Sequence, residues 1–439
     1  MHRRKNIFIL LFFIIGSVLN GQVKVWSVDD CIKYALEANL QIREAKVSSD
    51  MNQQYLLEAK AARYPSLSGT ARENLSWSNQ TVAGSEVYKG ANGTTVSLAS
   101  GTTLYNAARL TNTIRQAEAV YEAGNYNTEV IKETISLNIL NAYLQVLYAE
   151  EQVKNSQNQI SSTAEQLRLA GERLKLGAIA NSDYLTVKSQ LATENQTLAT
   201  AKSQLAINRV TLLQLMELPD TVSFGLARPN LDSLIGKNIY PTAAEVYKAA
   251  LLFKPEIKNA DLNTKSAEIG VQLAKAGYFP TVSLSAGLST NYSSINTASD
   301  YGEQVKNNIT PTIGLTAAIP IYTDRLAKTN VEVAKLSTKN AQLAEQNTKN
   351  VLRKAIEQAC LDVISYQTEF ESSQEAYLAA KESYEVATEK NLQGIMSSID
   401  FLVQKTAYIT AESQFLQAKF ALVFSYKILD FYLGKPLTL

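Results

Sequence analysis

Histidine is almost absent from this chain: of 439 residues, only His2 is one. It stands in a short basic start, Met1-His2-Arg3-Arg4-Lys5. An apolar run from Ile7 to Leu19 follows, with Gly16, Ser17 and Gly21 near its end. A basic head joined to an apolar stretch of about 7–15 residues has the form of a secretory signal. We read residues 1–22 as that signal, cut near Gly21 or Gln22. The run is short of the ~20 residues a spanning helix needs, and no cysteine follows it to carry a lipid. The exported chain then lacks an imidazole for a metal centre, a Ser-His pair or a Cys-His pair. No Gly-rich phosphate loop stands between a strand and a helix. Nothing in the chain calls for a cofactor, and an enzyme is the weaker reading.

Charge of one sign is lacking too. The balance of 42 basic against 41 acidic residues leaves no field to hold nucleic acid. Cysteine occurs twice, as Cys31 and Cys360, in a chain bound for an oxidising compartment. Two buried, small apolar residues is the simpler account, and a disulfide stays open.

Proline and glycine are missing over long stretches. Asn106 to Leu176 holds no proline and only Gly124 and Gly171; Asp324 to Gln393 holds neither residue. Helices of roughly 70 residues would be about 105 Å long. Ile139, Val146, Val153, Ile160, Leu167 and Leu174 recur every seven residues, and Tyr184, Leu191, Leu198, Leu205 and Leu212 continue the period. Sustained heptads argue for coiled-coil packing. Four helices of about half that length are expected at roughly Val28 to Arg63, Asp183 to Met216, Ala243 to Tyr278 and Asp400 to Tyr432. Two of these, end to end, would lie beside one long helix in a hollow layer.

What is present is a duplication. Gly177-Ala178-Ile179-Ala180-Asn181-Ser182-Asp183 answers Gly394-Ile395-Met396-Ser397-Ser398-Ile399-Asp400 at an offset of 217, and Tyr64-Pro65 answers Phe279-Pro280 at 215. A period this long is one large unit written twice, not a solenoid module of about 20–50 residues. The expected units are 23–219 and 242–439, joined by a linker at 220–241. Neither cysteine belongs to the repeated plan, since their counterparts are Val246 and Tyr143.

Between the helices the period changes to two. Val282, Leu284, Ala286 and Leu288 alternate with Ser283, Ser285 and Gly287, and Ile313, Leu315, Ala317, Ile319 and Ile321 alternate with Gly314, Thr316, Ala318 and Pro320. The first copy offers Val96, Leu98 and Leu104, with a weaker series at Leu67, Leu75 and Trp77. The expected hairpins are 65–105 and 280–322, with polar loops near Asn79 to Asn92 and Ser293 to Asn308. Alternation over about ten residues is the pattern of a membrane β-strand whose apolar face meets lipid. Four strands cannot close a barrel, and an open edge in lipid is costly. The chain must pool its strands with copies of itself.

Strand pairs between helices of unequal length, Pro-bounded entries to the strands, Leu104-Tyr105-Asn106 and Ile321-Tyr322-Thr323-Asp324-Arg325 at the exits, and two G-x5-D turns together resemble the TolC-type outer-membrane efflux family. The resemblance covers Trp26 to Leu433. It implies an α+β membrane protein: a homotrimer with a twelve-stranded β-barrel in the outer membrane and a helical tunnel of about 100 Å into the periplasm. It implies a passive duct of a tripartite efflux or type I secretion system. Its partners would be a periplasmic adaptor and an inner-membrane transporter of RND or ABC type. It places the pore mouth at the two turns, with Asp183 and Asp400 as gate candidates. Gly177, Asn181, Ser182, Gly394, Ser397 and Ser398 would meet the adaptor. TolC, which gives the family its type, carries a further aspartate three residues beyond the second one; Val403 stands there, and Thr186 in the first copy.

The residues also give those turns a plain structural account. Gly177 and Gly394 suit helix ends that turn through the left-handed region. Asn181 and Ser398 suit N-caps. Asp183 and Asp400 would complement the macrodipole in the first turn. The competing function is a periplasmic coiled-coil adaptor or scaffold without a pore, which would need a lipoyl-like β-domain.

Overall fold

The computed structural model describes residues 24–82, 85–219, 224–236 and 241–439. The signal expected at 1–22 and part of the linker expected at 220–241 lie outside them. The chain runs β1 (Lys24–Trp26), α1 (Val28–Ala38), α2 (Leu40–Ala61), β2 (Ser66–Val82), β3 (Ser85–Tyr105), α3 (Arg109–Lys175), α4 (Asn181–Leu215) and β4 (Phe224–Leu226). It continues as α5 (Ala243–Phe253), α6 (Pro255–Lys275), β5 (Thr281–Ser293), α7 (Tyr301–Asn307), β6 (Thr310–Ala318), α8 (Leu326–Leu392) and α9 (Ser398–Tyr432). The long helices α3 and α8 have 67 residues each, about 100 Å. Their return helices have 35 each.

The entry helices depart from the expectation of single helices at 28–63 and 243–278: each is broken in two. Asn39 ends α1 and caps α2, its Oδ1 accepting from the amides of Gln41 and Ile42. At the equivalent place Pro255 opens α6 at its first position, where the missing N–H costs nothing. Both breaks sit on the end of a return helix. Asn39 Nδ2 donates to the Leu215 carbonyl at the foot of α4. Lys254 Nζ lies 3.1 Å from the Phe431 ring centroid near the foot of α9. The expected stacking of two shorter helices beside one long helix is therefore α2 on α4 and α6 on α9. The helices α1 and α5 branch off at mid-height. Each starts with a capping box, Ser27 with Asp30 and Thr242 with Glu245.

Two cores lie at mid-height. One gathers Cys31, Ile135, Ile139, Tyr143, Leu212 and Met216 around the middle of α3. The other gathers Val246, Ala250, Leu352, Ile356, Leu422 and Leu429 around the middle of α8. Cys31 stands in the first core and Cys360 against the second, and no disulfide joins them. The linker contributes β4, which pairs in parallel with β1. Tyr143 pins this small sheet, its hydroxyl 2.6 Å from the Ala227 carbonyl and 3.1 Å from that of Trp26. Burial pushes this phenol above the ordinary tyrosine value.

The four longer strands form one antiparallel sheet in the order β2-β3-β5-β6. Its last strand stops at Ala318, so Ile319 and Ile321 lie outside it. Leu104 falls at a register shift between Thr103 and Tyr105. The loop expected at 293–308 contains the short helix α7.

Candidate functional site: a two-faced sheet and the turns at the helical tip

The register sorts the sheet into two chemically different faces. Leu98 lies opposite Leu288, and Leu284 opposite Leu315. That face also carries Leu67, Leu75 and Trp77, and all seven side chains are exposed, Ile313 beside them by 83%. The other face is small and polar: Ser66, Ser68 and Thr70 pair with Gly101, Ala99 and Ser97. Beyond them lie Ser283, Ser285 and Thr316. One apolar face and one polar face is the pattern of strands that line a membrane barrel. Among the described residues no helix is long and apolar enough to cross a membrane.

Aromatic side chains stand exposed at both ends of this wall. Tyr64, Tyr105, Phe279 and Tyr322 mark the helical end; Trp77 and Tyr301 mark the far end. Girdles of this kind lie at membrane interfaces. At the exits from the wall the backbone bends through two consecutive left-handed residues in each copy. These are Ala107 (φ 52°) and Ala108 (φ 61°), then Asp324 (φ 45°) and Arg325 (φ 68°). None is glycine, so strain is held at the junction of strand and long helix.

At the opposite end, α3 turns into α4 and α8 into α9. Gly177 (φ 70°) and Gly394 (φ 74°) take the left-handed step. Each closes a Schellman motif: Ala178 N donates to Arg173 O and Gly177 N to Leu174 O, as Ile395 N does to Lys390 O and Gly394 N to Asn391 O. The caps differ from the expectation by one residue. Asn181 and Ser398 are the first helical residues, and the capping positions are Ala180 and Ser397. Ala180 offers no side chain to cap with. Ser397 Oγ accepts from Asp400 N at 3.1 Å and donates to Asp400 Oδ2 at 2.7 Å. The two aspartates are thus unequal: Asp400 is engaged in a cap, whereas Asp183, half-buried, stands on a helix without one. Ser182 is exposed and its carbonyl accepts from Thr186 Oγ1.

Two polar ties join the hairpins near this end, and neither was foreseen. Arg173 donates across to the Asn391 and Leu392 carbonyls at 3.1 and 2.6 Å, where the negative end of the α8 dipole favours a cation. Deeper, Lys405 on α9 pairs with Glu194 on α4 at 2.8 Å, with side chains only 2% and 6% exposed. Thr163 on α3 donates to Glu194 at 2.5 Å and also touches Lys405 Nζ, while Gln190 donates to Glu194 at 2.9 Å. A readable signal existed: Glu194 lies between Leu191 and Leu198, where the heptad calls for an apolar residue.

A profile of outer membrane efflux proteins matches this chain twice, over residues 31–217 and 246–435. The chain belongs to the outer membrane efflux protein family. Its fold is shared with solved channels of low identity. CusC, described in terms of folding and transmembrane channel formation, superposes with a TM-score of 0.80 at 18% identity, over 93% of this chain and 92% of that one. The outer membrane channel CmeC of Campylobacter jejuni gives 0.77 at 19%, over 93% and 85%. The open state of the MtrE outer membrane channel of Neisseria gonorrhoeae gives 0.76 at 19%, over 94% and 90%. No curated protein matches.

This efflux protein is an outer-membrane channel of a tripartite system, with a large periplasmic helical portion. It is a passive conduit rather than an enzyme, and the reading as a poreless adaptor falls away. Members of its family are trimers that work with adaptor proteins and inner-membrane transporters.

Proposed function

We propose that three copies of this chain close one twelve-stranded barrel and one continuous tunnel. The observation that carries it is a match between two layers. The sheet order is β2-β3-β5-β6, and the helices continuous with those strands pack in the same order, α2-α3-α6-α8. Both layers therefore end on the same flanks, β2 with α2 on one side and β6 with α8 on the other. Each flank is unsatisfied twice over. The edge strands carry unpaired backbone groups, which lipid cannot hydrogen-bond. The helices carry exposed apolar stripes, Leu40, Val47, Met51 and Tyr55 on α2 and Leu336, Leu343 and Leu361 on α8. Joining unlike flanks head to tail satisfies both and closes a ring. Two copies would give eight strands with a filled interior; three leave a lumen.

In this reading outer-membrane lipid covers the apolar face, and the periplasmic adaptor meets Gly177, Asn181, Ser182, Gly394, Ser397 and Ser398. The adaptor links the duct to an inner-membrane transporter of RND or ABC type, which chooses the cargo. Asp183 and Asp400 of three copies crowd the narrow end, where a carboxylate ring favours cations. Asp183 contributes more, because Asp400 is already held by Ser397. The test is planar-bilayer conductance of the detergent-purified oligomer. Asp183→Asn should reduce cation selectivity more than Asp400→Asn does, with oligomer yield unchanged. Equal selectivity in parent and both variants would remove the aspartates from the pore, and a monomer on sizing in detergent would end the trimer.

A further inference from the structure

At the far end of the second hairpin stands a short helix that conduction does not use. Helix α7 does not hang into the lumen or stand away from the wall. Thr290 Oγ1 donates to the Val305 carbonyl at 2.5 Å, and the rings of Tyr292 and Tyr301 lie 4.7 Å apart. Thr290 and Tyr292 continue the series Leu284, Ala286, Leu288, so both belong to the apolar face. Helix α7 is therefore folded back over the side of the wall that meets lipid.

The loop is built to stay there. Gln304, only 3% exposed, places its Nε2 within 2.9–3.3 Å of the carbonyls of Ser293, Asn296 and Ser299, and its Oε1 accepts from Ser293 N. Asp300 caps the helix through Glu303 N, and Asn308 Nδ2 donates to the Asn291 carbonyl. Within a fold fixed at so many points, three large apolar side chains remain exposed: Ile295, Tyr301 and Ile309.

The duplication fixes the height. Phe279 and Tyr292 are the counterparts of Tyr64 and Trp77 at the 215 offset, and each pair spans 13 residues. The strands begin at Ser66 and Thr281, so 11 strand residues lead to Trp77 and to Tyr292, about 36 Å. At a tilt of ≈ 35–45° they rise about 26–30 Å, close to the thickness of a hydrocarbon core. If Tyr64 and Phe279 mark the inner interface, Trp77, Tyr292 and the Tyr301 ring tilted against it mark the outer one.

We propose that α7 with Ile295, Tyr301 and Ile309 is an interfacial anchor, seated among the lipid headgroups of the outer leaflet on the outside of the barrel. The proposal rests on the barrel reading above and adds a lipid-binding element to it. A tyrosine ring with an apolar body and a polar tip suits that layer.

The test uses the full chain with Trp26→Phe and Trp77→Phe, carrying a single new tryptophan and reconstituted into phosphatidylcholine vesicles. The lipid is brominated at either the 6,7 or the 11,12 acyl positions. Tryptophan is placed by Tyr301→Trp, by Ile313→Trp as the lipid-facing reference, or by Ser285→Trp as the reference for the opposite face. Tyr301→Trp is a conservative exchange on an exposed ring, so folding is preserved. The expected result is quenching at 301 that is at least twofold stronger with the shallow bromines than with the deep ones. At 313 the deep bromines should quench strongly, and at 285 neither should. If 301 is untouched by either lipid while 313 is quenched, α7 sits in water or under another protein. The anchor is then refuted while the barrel stands. If 313 and 285 are quenched alike, or neither is, the assignment of faces fails and takes the anchor with it.

Discussion

Breaking one buried ion pair should loosen the helical tip without disturbing the membrane part. Glu194 and Lys405 join α4 to α9, and Thr163 brings α3 into the same contact. Removing one partner leaves the other charge buried and unpaired, which costs about 3–5 kcal/mol. Removing both in favour of apolar residues of similar volume is neutral or stabilising by about 1–4 kcal/mol. The assay is trypsin nicking after Lys175, an exposed residue beside the turn, with the fragment followed by mass spectrometry. Where closing outpaces cleavage, the rate tracks the open population. At about 1.4 kcal/mol per decade, Glu194→Ala should then accelerate nicking by about 100-fold or more. Lys405→Met alone should accelerate it too. The pair Glu194→Leu with Lys405→Met should return the rate to near that of the parent. Two single variants within about fivefold of the parent would show that the pair holds nothing together. A double variant whose effect is the sum of the singles would show that the charges do not act on each other.

Leu315→Arg should block membrane assembly, because a charge on the lipid face near mid-bilayer costs about 2–4 kcal/mol; Ser285→Asn should assemble normally, as outer-membrane fractionation would reveal. Ala108→Gly should raise the unfolding midpoint in detergent, since glycine removes the left-handed strain at no steric cost; a lower midpoint would mean that the strain is not there. The Glu245 carboxyl is held below the ordinary glutamate value, first by the Thr242 backbone N–H and then by its hydroxyl. A depressed carboxyl contributes stability above its ordinary value and loses it as pH falls through the folded one. Amide protection in the first turn of α5 should therefore drop in the parent as pH falls below the ordinary glutamate range, while in Glu245→Ala, which has no acceptor for the Thr242 N–H, it should be low already at neutral pH.

The parts of the fold legible in the sequence were those written over many residues. The scarcity of proline and glycine gave the long helices to within three residues at either end, heptads gave their packing, and alternation gave the apolar faces. What escaped was written in single residues. Asn39 breaks a helix with no proline to announce it, because its side chain replaces two backbone partners and also reaches Leu215. Pro255 did announce the second break, but proline suits both a first turn and an interruption. The caps were misplaced by one residue because Ser397 and Ser398 are both competent; the length of the Schellman turn decides between them. Helix α7 hid in a loop whose composition is that of a turn, and its order comes from Gln304, whose four contacts are all to backbone groups. The ties at Arg173 and Glu194 depend on how two hairpins sit together, which no period within either hairpin encodes.

The two copies share one frame and use it differently. The seam between α8 and α9 is aromatic: Phe370, Tyr377 and Tyr384 interleave with Phe415, Tyr408 and Phe401, with Tyr377 stacked on Phe415 at 5.2 Å and Tyr384 on Tyr408 at 5.1 Å. Their counterparts in the first copy are Val153, Ile160 and Leu167 against Leu198, Leu191 and Tyr184. Each aromatic pair adds about 0.5–1.5 kcal/mol beyond the area it buries, so the run resists parting of α8 from α9 by several kcal/mol. The α3–α4 seam has no such ladder and gives up a core position to Glu194. The mid-height joints diverge as well. Asn39 is satisfied by backbone groups alone. Lys254, fully buried, depends on Glu133 at 3.0 Å and on the Phe431 ring. Burial lowers the Lys254 ammonium and raises the Glu133 carboxyl despite their pairing. Movement at the tip then has one easy place to occur. The aromatic hairpin keeps its own helices together, so displacement falls between hairpins, where Arg173, the Glu194–Lys405 pair and, deeper, Gln152 with Ser413 are polar contacts that must break.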